Sequence, residues 1–228
     1  MKKLLHSLVL CGLVAVPAVA LAEAGPHRLS GNLSFVSDYQ FRGVSQTDED
    51  PAIQGGFDYA HVSGFYLGTW ASNVELAPAS MEWDVYAGYG GSIGELGYNV
   101  GLLQYFYPDL SASDTLEVYG GLSYRGFGLK AAYSTGDYFG FADSDGTVYW
   151  DASYGYTFEN GIGVSAHYGY TAGRGGQADY ADWKIGVSKD VAGFALGLAY
   201  VDTNDDGRDF YGKDIADGRL LLSVARTF

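Results

Sequence analysis

The chain has little cysteine, few basic side chains and no long apolar run beyond its first residues. Its single cysteine, Cys11, lies near the N-terminus, so the rest of the chain can form no disulfide. Lysine and arginine number 13 against 27 aspartates and glutamates, which gives a formal charge of -14. So acidic a chain offers no basic surface to phosphates, which argues against nucleic-acid binding. Without long apolar runs, spanning helices in the mature chain are excluded.

Residues 1–22 have the features of a secretory signal peptide. Lys2 and Lys3 form a basic start, an apolar stretch follows, and Ala20-Leu21-Ala22 supplies small residues for cleavage. We therefore predict cleavage after Ala22, with cleavage after Ala24 as the alternative. Loss of the two lysines changes the formal charge of the remaining chain to -16.

Residues 23–228, predicted to be a single domain, alternate apolar with small or polar side chains. One example is the series Val148-Trp150-Ala152-Tyr154-Tyr156-Phe158. A period of two predicts strands with one apolar and one polar face. Short turns and longer polar loops alternate between the strands, and the chain ends in Phe228. This pattern is typical of an all-β fold, a single antiparallel transmembrane β-barrel of about twelve strands.

The predicted strands, in chain order, are 29–42, 52–60, 65–72, 82–90, 96–107, 115–123, 127–135, 147–158, 162–171, 180–189, 194–202 and 219–228. The strongest hairpin signal is Asn160-Gly161. An even number of strands brings both termini to the side of the short turns. We therefore expect an outer-membrane location, with both termini in the periplasm and the long loops outside the cell.

The polar faces of the predicted strands carry charges of both signs. A soluble β-sandwich would have to pair each of them in a dry core, whereas a wet barrel lumen tolerates them. We therefore predict that these side chains line a pore. They are Asp38, Arg42, Asp58, Glu82, Asp84, Glu117, Lys130, Asp151, Asp182 and Lys184.

Several segments resemble the TorF family of porins. They are Leu29-Ser30-Gly31-Asn32, Ser37-Asp38-Tyr39-Gln40-Phe41-Arg42-Gly43-Val44-Ser45-Gln46, Pro51-Ala52-Ile53-Gln54-Gly55-Gly56, Gly64-Phe65-Tyr66-Leu67-Gly68-Thr69-Trp70-Ala71-Ser72-Asn73, and Ala216-Asp217-Gly218-Arg219 through Thr227-Phe228. The resemblance extends over the mature chain. It implies an outer-membrane barrel with a pore-like role.

The leading functional hypothesis is a channel for passive diffusion of small polar solutes. Seven acids against three bases on the predicted polar face would favour cations. The alternative is a non-conducting structural or surface-binding barrel whose lumen is plugged. Arg42 is predicted to end the first strand with Asp38 on the same face. It would either shape a constriction or form a structural ion pair.

Enzymatic and metal-binding functions have weaker support. Ser165 and His167 share a face, but about 7 Å of strand separates them and no third group is evident, so a hydrolase is disfavoured. We predict that the chain is not an enzyme and needs no cofactor. Asp202, Asn204 and Asp206 match the first half of a calcium loop, but Lys213 stands where a bidentate glutamate is needed.

Two kinds of macromolecular partner follow from the barrel prediction. The final strand alternates toward Phe228, as in segments recognised by the barrel-assembly machinery, which makes that machinery an expected partner. Outer-membrane lipid and lipopolysaccharide are expected to surround the barrel, with divalent cations bridging the acidic loop at 202–218 to lipopolysaccharide.

Overall fold

In the computed structural model, which describes residues 25–228, the chain forms a closed barrel of twelve antiparallel strands. The strands in chain order are β1 (His27–Val36), β2 (Gln40–Phe41), β3 (Val44–Ser45), β4 (Ala52–His61), β5 (Phe65–Leu76), β6 (Ala79–Ile93), β7 (Leu96–Phe106), β8 (Thr115–Tyr124), β9 (Phe127–Ser134), β10 (Val148–Thr157), β11 (Ile162–Ala172), β12 (Tyr180–Val191), β13 (Phe194–Thr203) and β14 (Arg219–Thr227). Here β2 and β3 form a separate two-stranded hairpin. The predicted fold class is confirmed, while the predicted signal peptide lies outside the described residues.

Each barrel strand pairs with its neighbours in the chain, and β1 closes the barrel by pairing with both β4 and β14. The closing pair β1–β14 has five register pairs, from Asn32↔Thr227 to Val36↔Ser223, whereas β1–β4 has ten. Beyond these pairs, the Gly31 and Phe228 backbones exchange two hydrogen bonds of 2.7 and 2.9 Å. Both ends of the described chain therefore meet at the end of the barrel that carries the short turns.

Side chains alternate between the outside and the inside of the barrel along each strand. Leu102 points outward with an exposed fraction of 49%, while the next residue, Leu103, points inward and is 2% exposed. The outer surface is a band of apolar and aromatic side chains, among them Phe57, Leu67, Val100, Leu129, Trp150, Ile185 and Leu222. Among residues 25–228, no helix combines the length and the apolar character needed to cross a membrane.

The predicted strand boundaries are wrong at the end of β1 and on both sides of the turn between β5 and β6. β1 ends at Val36 instead of residue 42, because the chain turns into the lumen there. The loop predicted at 73–81 is a tight turn around Ala77-Pro78, and β5 and β6 run up to it. Pro78 lies in the turn itself. Proline has no backbone N–H, and a turn residue outside the strand pairing does not need one.

The last long loop contains two short helices that the sequence analysis did not predict. They are α1 (Asp205–Tyr211) and α2 (Lys213–Ala216). Asn204 caps α1 by accepting a hydrogen bond of 3.2 Å from the Gly207 backbone N–H. The two helices lie beside β12, β13 and the β2–β3 hairpin at the long-loop end of the barrel.

Inward-facing tyrosines lie along the barrel wall rather than across the lumen. Each covers a glycine on the neighbouring strand: Tyr66 on Gly88, Tyr86 on Gly68, Tyr119 on Gly101 and Tyr149 on Gly169. A Cβ atom added to Gly68, for example, would lie 2.5 Å from ring atoms of Tyr86. These glycines therefore let large rings pack flat against the neighbouring strand.

Candidate functional site

The loop between β1 and β4, residues 37–51, folds into the barrel, and we call it the lumen hairpin. Its turn is Arg42-Gly43, with φ angles of 49° and 80°, as a tight hairpin turn of the type I′ class requires. A Cβ atom on Gly43 would come within 2.6 Å of Thr203 and 2.7 Å of Asp182. Glycine is therefore required where the tip meets the wall.

Arg42 anchors the tip to the side of the barrel opposite β1 and β4. Its guanidinium donates two hydrogen bonds to the Glu117 carboxylate, of 2.7 and 2.8 Å, and one of 2.9 Å to the Tyr138 hydroxyl. It also lies 4.2 Å from the centre of the Tyr149 ring. The Tyr180 hydroxyl donates to the Arg42 carbonyl at 3.0 Å. The planar guanidinium suits this paired recognition of a carboxylate.

Asp38 organises the base of the lumen hairpin. Its carboxylate accepts hydrogen bonds from Gln40 (2.5 Å), Ser45 (2.6 Å) and Thr47 (3.1 Å). Arg219 on β14 forms an ion pair with the same carboxylate at 3.1 Å. Arg219 also pairs with Glu49 at 3.0 Å, so the lumen hairpin is held by one ion pair at its tip and two at its base.

Glu82 on β6 receives the middle of the lumen hairpin. The Tyr39 hydroxyl donates to one carboxylate oxygen and the Tyr107 hydroxyl to the other, each at 2.9 Å. Tyr39 also packs edge-on against Trp70 at 5.4 Å between ring centres. Glu82 is 1% exposed, so two phenols take the place of bulk water around its carboxylate.

Three inward carboxylates, Glu82, Asp58 and Asp84, lie on β4 and β6, and we call them the acidic wall. Glu82 contacts the phenols described above. Asp58 accepts from Tyr86 at 2.5 Å and from Asn32 at 3.5 Å. Asp84 is 6% exposed, and its buried Oδ1 has no hydrogen-bond partner. The hydrogen bonds described for Glu82 and Asp58 thus come from uncharged groups.

The opposite side of the lumen has its carboxylates paired with basic groups. His167 on β11 contacts Asp151 on β10 through Nδ1 and Asp182 on β12 through Nε2, the latter at 2.7 Å. The Nζ atom of Lys130 lies 4.7 Å from the centre of the Tyr119 ring. Arg42 and His167 thus contact three carboxylates on this side, whereas the contacts described above for the acidic wall are with phenols and an amide.

The structure divides the ten predicted pore-lining residues into two groups. Eight lie on barrel strands and face inward; they are Asp58, Glu82, Asp84, Glu117, Lys130, Asp151, Asp182 and Lys184. The placement of Asp38 and Arg42 on the first strand is wrong, because both belong to the lumen hairpin. Arg219, His167 and Tyr39 were not predicted as site residues. Arg219 could have been predicted, because it directly precedes Leu220 and therefore lies on the face opposite the outward series Leu220, Leu222 and Val224.

The environment of His167 bears on the hydrolase alternative. Both of its ring nitrogens contact carboxylates, so neither is directed at Ser165. A general base needs a nitrogen within hydrogen-bond reach of the nucleophile. This arrangement gives the hydrolase alternative no structural support.

The acidic residues of the weak calcium match have protein partners. Asp202 pairs with Arg208 at 2.6 Å, and the Asn204 side-chain amide donates to Asp206 at 2.7 Å. Asp205 and Asp217 also pair with Arg208. The hydrogen bond that Arg208 donates to Asp202 is the main reason that the pKa of Arg208 is raised. Within the described part of the chain, no group of three or more histidines, cysteines or acids is arranged to hold a metal.

Comparisons with known proteins give a family and a fold. Residues 20–228 match the family described as "Bacterial protein of unknown function (Gcw_chp)". No curated protein matches the chain. The NanC porin structure is similar with a TM-score of 0.59 at 11% identity, covering 88% of this chain and 98% of that one. A structure from a study of in-meso crystallization of membrane proteins has a TM-score of 0.55 at 10% identity, covering 87% and 83%. At these identities the similarity concerns the fold alone.

Proposed function

This chain belongs to the Gcw_chp family of bacterial proteins of unknown function, and from that premise we propose that it is an outer-membrane, porin-like channel for small polar solutes. A closed barrel satisfies all backbone hydrogen bonds within its wall, so its apolar outer band can face lipid. The observation that carries the proposal is the lumen hairpin, which crosses a polar lumen and narrows it near the long-loop end.

The half of the lumen nearer the short turns supports an aqueous path. Its wall there carries small hydroxyl side chains that are half-buried and face inward: Ser153, Ser165, Ser188 and Ser223. The tyrosines pack over glycines along the wall. A solute would therefore meet its main obstacle at the lumen hairpin.

We propose that the channel favours cations. Glu117 is balanced by Arg42 and Asp38 by Arg219, so these acids add little net field. The hydrogen bonds described for the acidic wall come from phenols and an amide, which carry no positive charge. A narrow lumen lined by more acids than bases attracts cations.

The second candidate function is a barrel plugged by the lumen hairpin. The ion pairs of Glu117 at the tip and Asp38 at the base of the hairpin favour it, because both are buried and hold the hairpin across the lumen. Such a protein would have a structural or surface-binding role.

Conductance measurements in planar bilayers test both candidates. We would compare the wild type with a variant in which residues 39–46 are replaced by a short Gly-Ser linker, using heat-modifiable gel mobility to show that both are folded. The channel proposal expects current from the wild type and a larger current from the variant. Current from the variant alone would support the plugged barrel, and silence from both would contradict the channel proposal.

Location, orientation and partners are also proposed. We infer periplasmic termini, long loops outside the cell, lipopolysaccharide around the barrel, and assembly through the β14 segment that ends in Phe228. The finer assignment to the TorF porins is supported by the segments quoted above. An epitope inserted after Gly212, in the loop between α1 and α2, should be detectable on intact cells; detection only after permeabilisation would contradict the orientation.

A further inference from the structure

Asp84 is the one member of the acidic wall that the protein leaves without a hydrogen-bonding partner at a buried oxygen. It faces inward, since its neighbours Trp83 and Val85 are exposed on the outer surface. Its carboxylate is 6% exposed, and Oδ1 has no partner. A buried carboxylate oxygen normally has a donor or a counter-ion, because burial without either is costly.

Two aromatic side chains flank Asp84 on the neighbouring strands. Trp70 on β5 and Tyr105 on β7 are its register partners, so all three side chains share the inward face. Tyr39 of the lumen hairpin packs edge-on against Trp70. Aromatic faces stabilise cations and cannot donate strong hydrogen bonds to a carboxylate from their faces.

Like charge nearby makes an anionic Asp84 unfavourable by itself. Glu82 lies two residues along the same strand face, at about 7 Å, and Glu117 is within electrostatic range. Glu117 is paired with Arg42, whereas the two hydrogen bonds described for Glu82 come from phenols. A bound cation would relieve the repulsion between Asp84 and Glu82 and would satisfy the free oxygen.

We propose that Asp84, flanked by Trp70 and Tyr105, is a binding site for a single monovalent cation of alkali-metal size in the lumen below the hairpin. The inference rests on the proposed function in that the cation enters through an aqueous lumen. A divalent ion is disfavoured because, among residues 25–228, no three acidic or histidine ligands are arranged to hold a metal.

Quenching of Trp70 fluorescence by Cs⁺ tests the site directly. Trp83, Trp150 and Trp183 are first replaced by phenylalanine, and Cs⁺ is titrated at constant ionic strength against N-methyl-D-glucamine. We expect saturable quenching in this background, competed by K⁺. Asp84→Asn should weaken the apparent affinity by about tenfold or more, since it removes the charge next to the ion. Asp84→Glu should retain saturable quenching.

Glu159→Gln is the matched control, because it removes one carboxylate from an exposed short turn and should leave the titration unchanged. Linear quenching that Asp84→Asn does not alter would overturn the inference. If Asp84 is protonated and binds no cation, the quenching is linear as well, and the inference is equally wrong. Conductance separates the two proposals. A conducting wild type with linear quenching refutes the site alone, and a silent wild type with saturable quenching refutes the channel alone.

Discussion

At the scale of single residues, the contact between Arg42 and Glu117 decides how firmly the lumen hairpin is held. Both side chains are nearly inaccessible, at 6% and 1% exposed. Replacing Arg42 by alanine leaves Glu117 buried without its counter-ion, which costs about 3–5 kcal/mol for pairs of this kind. We expect Arg42→Ala to lower the stability of the folded barrel in urea titrations and to raise its single-channel conductance.

A double variant separates the effect of Arg42→Ala on stability from its effect on conductance. Arg42→Met combined with Glu117→Gln removes both charges, so it should be less destabilised than Arg42→Ala while still releasing the hairpin tip. If both variants conduct like the wild type, the tip does not restrict the lumen.

Gly68 and Tyr86 form a pair in which one residue makes room for the other. The three atoms nearest to an added Cβ at Gly68 all belong to the Tyr86 side chain. Gly68→Ala should therefore cost about 1–3 kcal/mol in wild type, as overpacking does, and much less in a Tyr86→Ala background. Urea unfolding of the four proteins of this cycle measures the coupling, and equal costs in both backgrounds would refute it.

At the scale of elements, the strands could be predicted from sequence but the lumen hairpin could not. Strand positions follow from a period of two that the barrel's two environments impose. In the segment that leaves the wall, Asp38, Gln40 and Arg42 continue to alternate with Tyr39 and Phe41, so the periodicity hides the departure. Its Arg-Gly turn also lacks the Asn-Gly signature that marks tight hairpins.

The candidate site was predictable in residue type but not in its connections. The inward carboxylates on barrel strands follow from the alternation alone. The partner of each does not, because Arg42 and Glu117 are 75 residues apart and meet only when the barrel is closed. Likewise, His167 comes between Asp151 and Asp182 only through the pairing of β10, β11 and β12.

The α1 helix in the last long loop depends on Asn204. Its side-chain oxygen accepts hydrogen bonds from the backbone N–H groups of Gly207 and Ala181, at 3.2 and 3.0 Å. Asn204→Ala should destabilise α1 by about 1–2 kcal/mol and raise amide hydrogen exchange in that loop. Asp209→Asn, at an exposed position of the same helix, is the control and should exchange like the wild type.

At the scale of the whole molecule, the outer surface determines whether the barrel must be surrounded by lipid or by water. Leu102 lies outward on β7, and an arginine there would face lipid, at a cost of about 2–4 kcal/mol near the bilayer midplane. We expect Leu102→Arg to reduce the heat-modifiable folded fraction in liposomes, whereas Leu102→Ile should fold normally. A soluble protein would tolerate arginine at so exposed a position, so normal folding of Leu102→Arg would contradict a lipid-facing surface.

The barrel is not equally strong all the way around. Its first and last strands share half as many register pairs as β1 shares with β4, so this seam has the fewest ladder bonds to break. When heat or force opens the barrel, β1 and β14 should separate first, which leaves a curved sheet with these two strands at its free edges. During assembly the barrel would close in the reverse order, and the backbone hydrogen bonds between Gly31 and Phe228 would form last.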